Sequence, residues 1–463
     1  MKKGLLKMKK MKVLSLLVAA IMLISLLTAC GKSSQTDSPA KESTTKSSAE
    51  SSTKPEEDSS KAAQPVDIEF WTFQDLHVAF YEDMAEKWNQ ENPDQPIKFN
   101  PTVYPFDDMH NKLLIALQSG VGAPDLVDIE LGKYANFLKG DIQLVTLNDI
   151  VEPELDNIVK ARVDIYSKDG NYYGICFHVG AAVIYYNTEL CEQAGVDWKS
   201  IKTWDEYYEA GKKFKAALPD KYWVSLESGD VWHMWPMISS QGGDMLDKDG
   251  KPSINSPQMI KALEFNRRML DEGIAVVAPG NYHHSEEFYA MMNSGAIASI
   301  SMPMWYMDRF TDHMPDLSQK IAIAPLPVWE VGQPRSVGMG GTGTSITKQC
   351  KNPDLVKKFL SYAKLSKEGN IEIWNKLGFD PIRTEVWSMP EMMNSKNKFT
   401  EYYVTNPFEV LSSIKDEILS VNVSEALPAT LDAMKNSVLT RAYTEKNVDI
   451  PSMLAEEQDK IKY

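Results

Sequence analysis

The sequence predicts an α/β fold built around a parallel sheet, because strand and helix periodicities alternate along its first third. Short apolar runs predict strands at residues 66–71, 97–104 and 126–129. Between them, residues 77–90 and 106–118 repeat apolar side chains every three or four positions, the spacing of one helix face. Strand, helix, strand, helix, strand is the order of parallel strands joined by right-handed crossovers.

A turn separates this region from a second unit. Residues 167–171 (Ser-Lys-Asp-Gly-Asn) predict a hairpin turn, since Gly170 can adopt the positive φ that such turns need. Apolar strands follow at residues 172–177 and 181–187. We therefore expect the second unit to begin near residue 181.

Helix-start signals organise the rest of the chain. Thr203 and Glu206 have the spacing of a capping box, in which each side chain satisfies a backbone amide of the first turn. Ser256 and Pro257 are typical of the N-cap and first helical positions. The pattern predicts helices at 204–218, 230–240, 257–273, 285–293 and 353–366, strands at 222–226, 297–302 and 321–328, and a largely helical remainder to residue 463.

The N-terminus has the parts of an export signal. Residues 1–12 hold six lysines and no acid, and residues 13–27 are apolar. The apolar run spans roughly 22 Å as a helix, short of the ~30 Å hydrocarbon core of a bilayer. Leu-Thr-Ala-Cys at residues 27–30 resembles a bacterial lipobox. Residues 1–29 are thus expected to be a lipoprotein signal peptide, and Cys30 the lipidated N-terminus.

Residues 30–65 are expected to form a disordered tether. From residue 31 the stretch contains ten serines, four threonines and five lysines but no aromatic residue. Such a composition cannot bury enough apolar surface to offset the entropy of ordering. Two acyl chains, at about 0.8 kcal/mol per buried methylene, suffice for stable attachment. We expect the folded body to be anchored at the outer face of the cell membrane.

The net charge of the chain restricts the kind of ligand that it is expected to bind. The formal net charge is −15, and removal of the six leader lysines lowers it to −21. Because phosphate recognition needs clustered Lys and Arg, nucleic acid is not the expected partner, whereas neutral and cationic ligands are compatible.

Beyond Cys30 the chain has Cys176, Cys191 and Cys350, too few for a disulfide scaffold. The sequence leaves open whether Cys176 and Cys191 pair or stay free thiols.

The lipobox and tether occur together with several short segments of characteristic sequence. They are Tyr172-Tyr173-Gly174-Ile175, Tyr185-Tyr186-Asn187, residues 292–301, Pro325-Leu326-Pro327 and Asn352-Pro353. Over residues 66–463 the chain resembles the family 1 extracellular solute-binding proteins, the sugar-capturing lipoproteins of ABC importers. Residues 71–77, 283–287, 302–307 and 340–344 further resemble the members that bind arabinose or arabino-oligosaccharides.

This resemblance implies a two-lobe periplasmic-binding-protein-like fold of type II, with the ligand in the cleft between the lobes. The implied lobe 1 comprises residues 66–180 and 303–345, and lobe 2 comprises residues 181–302 and 346–463. The chain is expected to cross the hinge at residues 181–187, 302–305 and 343–346. Closure by hinge bending would follow ligand contact with both lobes.

The implied function is capture of an arabinose-containing oligosaccharide, or a similar sugar, and delivery to the permease subunits of an ABC importer. The protein is expected to be a monomer, to need no cofactor and to catalyse no reaction. An indole covering about 60 Å² of a sugar face contributes about 1.5 kcal/mol. Micromolar affinity therefore also needs several hydrogen bonds of about 1 kcal/mol each.

Candidate ligand-binding residues follow from the strand ends and from the resemblance. Ligands of parallel sheets bind beyond the carboxyl ends of the strands, which points to residues 71–75, 104–107 and 130. Trp305 is the leading candidate, because the family often has an aromatic side chain at this crossing. The full set is Trp71, Gln74, Asp75, His77, Glu130, His178, Trp232, Trp305, Gly340, Gly341 and Arg383.

Each candidate has an ordinary structural alternative. Trp71 would pack in the core, Asp75 would cap the next helix, Glu130 would be a solvated carboxylate and His178 a structural donor. Trp232 and Trp235 share a helix face, so one is expected in the core, with Trp232 favoured for the cleft. For Arg383 an ion pair with Asp380 is the favoured reading.

Two sharper motifs are discounted. Gly338, Gly340 and Gly343 match a dinucleotide fingerprint, but the following residues predict an extended segment and not the required helix. Close approach of the backbone to a ligand or hinge explains these glycines better. His283 and His284 lack the spacing of a zinc site with the neighbouring glutamates, so no metal is expected.

Two other classes of protein remain as alternatives. A secreted glycoside hydrolase also combines an aromatic cleft with carboxylates, placed about 5 Å or 6.5–9.5 Å apart. No recognisable catalytic motif supports it, although 64 acidic residues leave such pairs open. A lipoprotein that binds a polyamine or a peptide would suit the negative charge.

Overall fold

The first of two main sheets contains the predicted parallel strands. The computed structural model describes residues 63–463. The strand order is Ile97–Val103, Val66–Thr72, Leu126–Glu130, Thr342–Ile346 and Ile175–Cys176. The first three strands are parallel, whereas the last two run antiparallel to their neighbours. The prediction of a parallel α/β unit is confirmed for residues 66–130, and a late segment of the chain completes the sheet.

Helices cover this sheet where the apolar periodicity predicts them. Helix Asp75–Glu91 buries Phe80, Met84 and Trp88, and helix Phe106–Ser119 buries the predicted Met109 and Leu113 face. The second helix ends at Gly120, whose φ of 75° is the left-handed conformation of a helix C-cap. Because each helix returns the chain to the start of the next strand, the carboxyl ends of the three parallel strands lie at a common edge.

The second sheet is built from the middle of the chain. Its strand order is Ile321–Ala324, Ala182–Asn187, Ile297–Pro303, Tyr222–Leu226 and Ala275–Val277. Every residue of the strands Ala182–Asn187 and Ile297–Pro303 is buried, which fits their apolar sequences. Helices Trp204–Ala217 and Pro257–Asp271 pack against this sheet region. We call the parts of the chain around the two sheets the first and second lobes.

The sheet pairing differs from the expected lobe boundaries. Strand Ile321–Ala324, expected within lobe 1, pairs antiparallel with Ala182–Asn187 in the second sheet. Helix Pro353–Leu365, expected in lobe 2, packs against helix Asp75–Glu91 of the first lobe. Apolar strands and helix faces join whichever sheet buries them, and sequence order does not settle that choice.

The hinge crossings are displaced for the same reason. The chain leaves the first sheet after Cys176 and enters the second at Ala182. Residues 302–305 are not a crossing, because the chain continues to strand Ile321–Ala324 of the same sheet. The return lies between residues 324 and 342, so residues 343–346 are already inside a strand of the first sheet.

The turn and helix-capping motifs predicted the structure more accurately than the expected lobe boundaries did. Strands Ser167–Lys168 and Asn171–Tyr172 form the predicted hairpin, with Gly170 at a φ of 78°. The capping box of Thr203 and Glu206 is present. The predicted helix over 230–240 is shorter, Met234–Ser239, and the predicted strand over 321–328 ends at Ala324.

The other elements are short and mostly helical, as the sequence predicts for the C-terminal part. They are Leu131–Tyr134, Ala135–Leu138, Asn148–Val151, Glu152–Glu154, Ala161–Asp164, Thr188–Gln193, Trp198–Ser200, Pro279–Asn281, Glu286–Asn293, Met304–Tyr306, Met307–His313, Pro315–Leu317, Lys367–Glu372, Ile373–Leu377, Thr384–Ser388, Pro390–Met393, Lys398–Tyr402, Pro407–Ser413, Lys415–Glu417, Leu427–Ala433, Met434–Val438, Leu439–Thr444 and Ile450–Lys460, with a parallel strand pair Ser336–Val337 and Ile418–Leu419.

Some sequence expectations fall on residues that the structure does not describe, namely the leader, Cys30 and the tether up to residue 62. From residue 63 onward, no helix combines the length and the apolar character needed to span a bilayer. Cys176, Cys191 and Cys350 are free thiols, with Cys176 and Cys191 buried.

Candidate ligand-binding site

A cavity of about 650 Å³ lies where the two lobes and the chain crossings meet. The first lobe lines it with Phe73, Gln74, Leu76, His77, Phe106, Glu130, Leu131 and Gly132. The second lobe and the crossings contribute Asp230, Val231, Trp232, Trp235, Tyr282, His284, Tyr289, Trp305, Asp308, Arg309, His178, Gly340 and Gly341, strand Thr342–Ile346 of the first sheet adds Thr342, and the C-terminal part adds Phe379, Leu431 and Lys435. This volume is in the range of known small-molecule sites.

Most of the candidate residues come together in this cavity. The eight that line it are Gln74, His77, Glu130, His178, Trp232, Trp305, Gly340 and Gly341. The other three, Trp71, Asp75 and Arg383, are not among the lining residues. A ligand role for the eight remains a prediction that their shared location supports.

Trp71 and Asp75 have ordinary structural positions. Trp71 is only 9% exposed and packs edge-on against Tyr104, with the ring centres 5.2 Å apart. Asp75 is exposed in the first turn of its helix, where the helix dipole stabilises a negative charge. It does not occupy the N-cap, which is Gln74.

Arg383 is buried in an ion-pair cluster away from the cavity. Its guanidinium donates to Glu154 Oε2 at 2.6 Å and pairs with Glu385. The favoured pairing with Asp380 is wrong. The Asp380 carboxylate instead accepts the backbone N–H groups of Gly180 at 3.1 Å and Ala181 at 2.8 Å. Asp380 thus holds the crossing between the lobes, and burial raises its pKa to about 7.

Aromatic rings form one side of the cavity. The Trp232 ring stands edge-on to Trp305 at 5.1 Å, and the His284 ring stacks on Trp305 at 5.7 Å. Trp305 Nε1 donates to the carbonyl of Met339 at 3.2 Å, which fixes the indole. Trp235 is 2% exposed and donates to Asp244 Oδ1 at 2.6 Å, so it is the more buried of the two tryptophans. They do not share a helix face as predicted, because Trp232 lies in a turn before helix Met234–Ser239.

The glycine pair beside these rings allows a close approach of backbone. A Cβ on Gly340 would lie 3.2 Å from both Trp232 and Trp305. Gly341 has a φ of 120°, and a Cβ there would lie 2.7 Å from the guanidinium of buried Arg162. Arg162 donates to the carbonyl of Gly340, so the segment is held from behind. As predicted, an extended strand follows and not a helix.

The charged residues of the cavity come from three parts of the chain. Glu130 Oε2 accepts the N–H of Gly132 at 2.7 Å, and burial raises the pKa of Glu130 to about 7. Lys435 lies 3.2 Å from Asp230, and Asp308 pairs with Arg309. Opposite charges are thus interspersed around the cavity and not segregated into a patch of one sign.

Several buried polar atoms of lining residues lack a hydrogen-bond partner. They are His178 Nδ1, Trp232 Nε1 and Asp308 Oδ1. Burial lowers the pKa of His178 well below its usual value, so its ring is neutral near pH 7. Buried polar groups in native proteins normally have partners. The cavity therefore suits a ligand that presents both donors and acceptors, such as hydroxyl groups.

The sequence reasoning missed several lining residues. They include Asp230, Tyr282, His284, Asp308, Arg309 and Lys435. His284 was weighed only as a metal ligand, although its neighbourhood in residues 283–287 already belonged to the family-like segments. Asp308 and Arg309 directly follow the segment that contains Trp305. Lys435 has no local signal, because only the tertiary structure brings its helix to the cavity.

The titratable and nucleophilic side chains of residues 63–463 include one grouping that resembles a catalytic triad. No cluster of three or more His, Cys, Asp or Glu side chains there could hold a metal ion. The triad-like grouping follows the serine, histidine and acid sequence of a hydrolase triad. In it, Ser225 Oγ lies 3.0 Å from His283 Nε2, and His283 Nδ1 lies 3.5 Å from Glu227 Oε2. Ser225 is fully buried and does not line the cavity, so a substrate cannot reach its hydroxyl.

Comparison with known proteins identifies clear relatives. Residues 73–369 match the family described as bacterial extracellular solute-binding protein. The arabinooligosaccharide-binding protein of Halalkalibacterium halodurans is 47% identical to this chain and covers 80% of it, with 83% of that protein aligned. The protein of the same name from Bacillus subtilis is 45% identical and covers 83% of this chain, with 89% of that protein aligned.

A solved structure shares the fold at much lower sequence identity. It is an ABC transporter associated binding protein from B. animalis subsp. lactis in complex with β-1,6-galactobiose. Its TM-score is 0.68 at 22% identity, and the alignment covers 86% of this chain and 96% of that chain. This likeness confirms the predicted two-lobe fold of type II.

Proposed function

The chain belongs to the family of bacterial extracellular solute-binding proteins, and from that premise we propose that it captures an arabinose-containing oligosaccharide for an ABC importer. The observation that carries the proposal is the cavity, where the Trp232 and Trp305 rings meet buried polar atoms without partners. Relatives that share almost half of their residues with this chain are named for the same ligand class.

The chemistry of the cavity matches that of a neutral oligosaccharide. Aromatic rings cover the apolar faces of sugars, whereas carboxylates and amides accept bonds from the hydroxyl rims. Trp305 supplies the ring, and Glu130 and Asp230 supply carboxylates from opposite lobes. A ligand that contacts both lobes favours the closed arrangement through contacts that an open cleft lacks.

The site of action follows from the N-terminal sequence. Cleavage before Cys30 and acylation of its thiol would leave the protein tethered outside the membrane by residues 30–65. Delivery would then consist of local diffusion of the monomer to the permease. Metabolic labelling with palmitate tests this step. The wild-type chain should incorporate label and remain with membranes, whereas Cys30→Ser should do neither.

Ligand identity is tested by a thermal-shift panel followed by calorimetry. The panel contains arabinose, arabinotriose, xylotriose, maltotriose, galactobiose and spermidine. Ligand at 100 times Kd adds about 2.7 kcal/mol to the stability of the folded state, a visible shift in melting temperature. We expect the shift with arabinotriose.

The other outcomes separate the alternatives. A shift with a different sugar would keep the importer function and replace the ligand. A response to spermidine alone would favour a polyamine-binding protein. Release of reducing ends from arabinotriose during incubation would instead identify a glycoside hydrolase.

A further inference from the structure

Two cavity residues, Tyr282 and His284, belong to one irregular segment, residues 278–285. Gly280 and Asn281 within it have φ values of 69° and 70°. Between Tyr282 and His284 lies His283, which is fully buried, while Tyr282 is 43% exposed. Because the segment lacks a long helix or strand, its side chains must be positioned by contacts from outside.

His283 is held through its backbone and its ring. Its N–H donates to Glu227 Oε1 at 2.7 Å, and its carbonyl accepts from the hydroxyl of Tyr306. Its Nε2 lies 3.0 Å from Ser225 Oγ, and its Nδ1 lies 3.5 Å from Glu227 Oε2. Glu227 is thus the one of these three partners that contacts His283 at both the backbone and the ring. Fixing His283 fixes the directions of the residues before and after it.

Tyr282 and His284, the residues on either side of His283, contact other parts of the cavity wall. A Cβ on Gly229 would lie 2.7–3.0 Å from the ring of Tyr282, so this glycine lets the ring lie against the backbone. Gly229 also donates its N–H to the carbonyl of Asn281 at 3.0 Å. The His284 ring lies 16° from parallel to Trp305. A shift of the segment would therefore disturb the aromatic side of the cavity.

Glu227 and His283 suit this role as uncharged groups. Burial raises the pKa of Glu227 well above its usual value and lowers the pKa of His283 well below its usual value. A neutral carboxylic acid can still accept the backbone N–H of His283, whereas Glu227 Oε2 and His283 Nδ1 lie in contact at 3.5 Å without forming a hydrogen bond. A glutamine amide retains such an acceptor for the backbone N–H, which supplies a conservative test.

We infer that Glu227 is a positioning residue for ligand binding, which acts through His283 to hold Tyr282 and His284 beside Trp305. The inference rests on the proposed function, since it concerns affinity for the same ligand in the same cavity. It assigns the triad-like contacts of Ser225, His283 and Glu227 to support of the cavity and not to catalysis.

The first experiment measures the Kd for arabinotriose and, in the ligand-free protein, hydrogen exchange of residues 278–288. In the purified mature protein, Glu227→Ala should weaken binding about tenfold and speed exchange in this segment. Glu227→Gln should stay within twofold of wild type in both. In a Tyr282→Ala/His284→Ala background, Glu227→Ala should change Kd less than twofold, because its effect passes through those side chains.

A second variant guards against a folding defect of Glu227→Ala. Tyr306→Phe removes only the hydroxyl that holds the His283 carbonyl, and it should speed exchange in residues 278–288 and weaken binding. Tyr402→Phe is the matched control, since it removes a buried tyrosine hydroxyl that donates to Met314, away from the segment. It should leave both measurements unchanged.

The outcomes are distinguishable from failure of the proposed function. If wild type binds no sugar, the proposed function fails, and the exchange measurements still test whether Glu227 holds the segment. If wild type binds but Glu227→Ala and Tyr306→Phe match it, the inference is overturned. It is equally overturned if Glu227→Gln is as weak as Glu227→Ala, or if the loss from Glu227→Ala persists in the double-alanine background.

Discussion

Trp232 stands edge-on to Trp305, with ring centres 5.1 Å apart and planes at 81°. Trp305 is held by its bond to Met339, whereas Trp232 Nε1 is buried without a partner. One indole of the pair is therefore fixed by the protein, and the other offers a free donor beside it. The His284 ring stacks on Trp305 at 5.7 Å and occupies one of its faces, so the edge-on pair offers a sugar the ring-face area that His284 does not cover.

Trp305→Ala should weaken ligand binding at least tenfold while leaving the fold intact. The substitution removes a stacking surface and the contact that orients Trp232 and His284. Trp329→Ala is the matched control, because Trp329 is also half-buried and donates to a backbone carbonyl, that of Met237 at 2.8 Å. Calorimetry would measure both. An unchanged Kd for Trp305→Ala would remove this residue from the site.

Asp128→Asn should lower stability by about 2 kcal/mol and weaken binding several-fold. The fully buried Asp128 carboxylate accepts from Thr72 at 2.9 Å and Thr344 at 2.7 Å, and its Oδ2 lies 2.8 Å from His77 Nδ1. The NH₂ group of an asparagine cannot accept a hydrogen bond, so one or more of the groups that now contact the carboxylate would lose its acceptor. A buried hydroxyl would then be unsatisfied, or the His77 ring would no longer be held. Chemical denaturation and calorimetry would measure the two effects.

The control for this change is Asp125→Asn, since Asp125 accepts the exposed backbone N–H of Glu69. It should change stability by less than 1 kcal/mol and leave Kd unchanged. Equal effects of the two substitutions would contradict a specific role for Asp128 beneath the cavity.

Lys364→Met should stabilise the protein more at pH 7 than at pH 10. Lys364 is fully buried, its Nζ lies 3.1 Å from Thr344 Oγ1, and burial lowers its pKa to about 7. The unfolded chain binds this proton up to about pH 10.4, so the lysine opposes folding fully below pH 7. That penalty is relieved as pH rises from 7 to 10. The stability difference between variant and wild type should shrink over this window.

Urea unfolding at pH 7, 8.5 and 10 would measure the effect. Lys357→Met, on the same helix, is the control, because Lys357 pairs at the surface with Asp149 at 2.8 Å. Its stability difference should be nearly constant with pH. A difference for Lys364→Met that stays constant from pH 7 to pH 10 would show that the lysine is charged in the folded state throughout.

Glu130→Gln should remove a pH dependence of ligand binding. Burial raises the pKa of Glu130 to about 7, and its carboxylate faces the cavity. Sugar hydroxyls bond more strongly to the ionised form, so wild-type affinity should rise several-fold between pH 6 and pH 8. The glutamine variant should show a flat profile. A wild-type profile that is already flat would mean that Glu130 does not accept from the ligand.

Near neighbours along the chain specify the local elements and much of the aromatic chemistry. The alternation over residues 66–130 and the capping box at Thr203 depend on near neighbours, and both are present in the structure. The candidates that follow strand ends, such as Gln74 and Glu130, line the cavity because the topology of parallel strands brings those ends to one edge.

Tertiary packing selects which distant segments complete the sheets and the cavity. Strand Ile321–Ala324 joined the second sheet, Arg383 paired with Glu154 in place of Asp380, and Lys435 came to the cavity beside Asp230. Such pairings are chosen by competition for burial over the whole chain, and closing a longer loop costs little more than closing a short one. The charge states of Glu130, Glu227 and Lys364 depend in turn on burial, which residue identity alone does not specify.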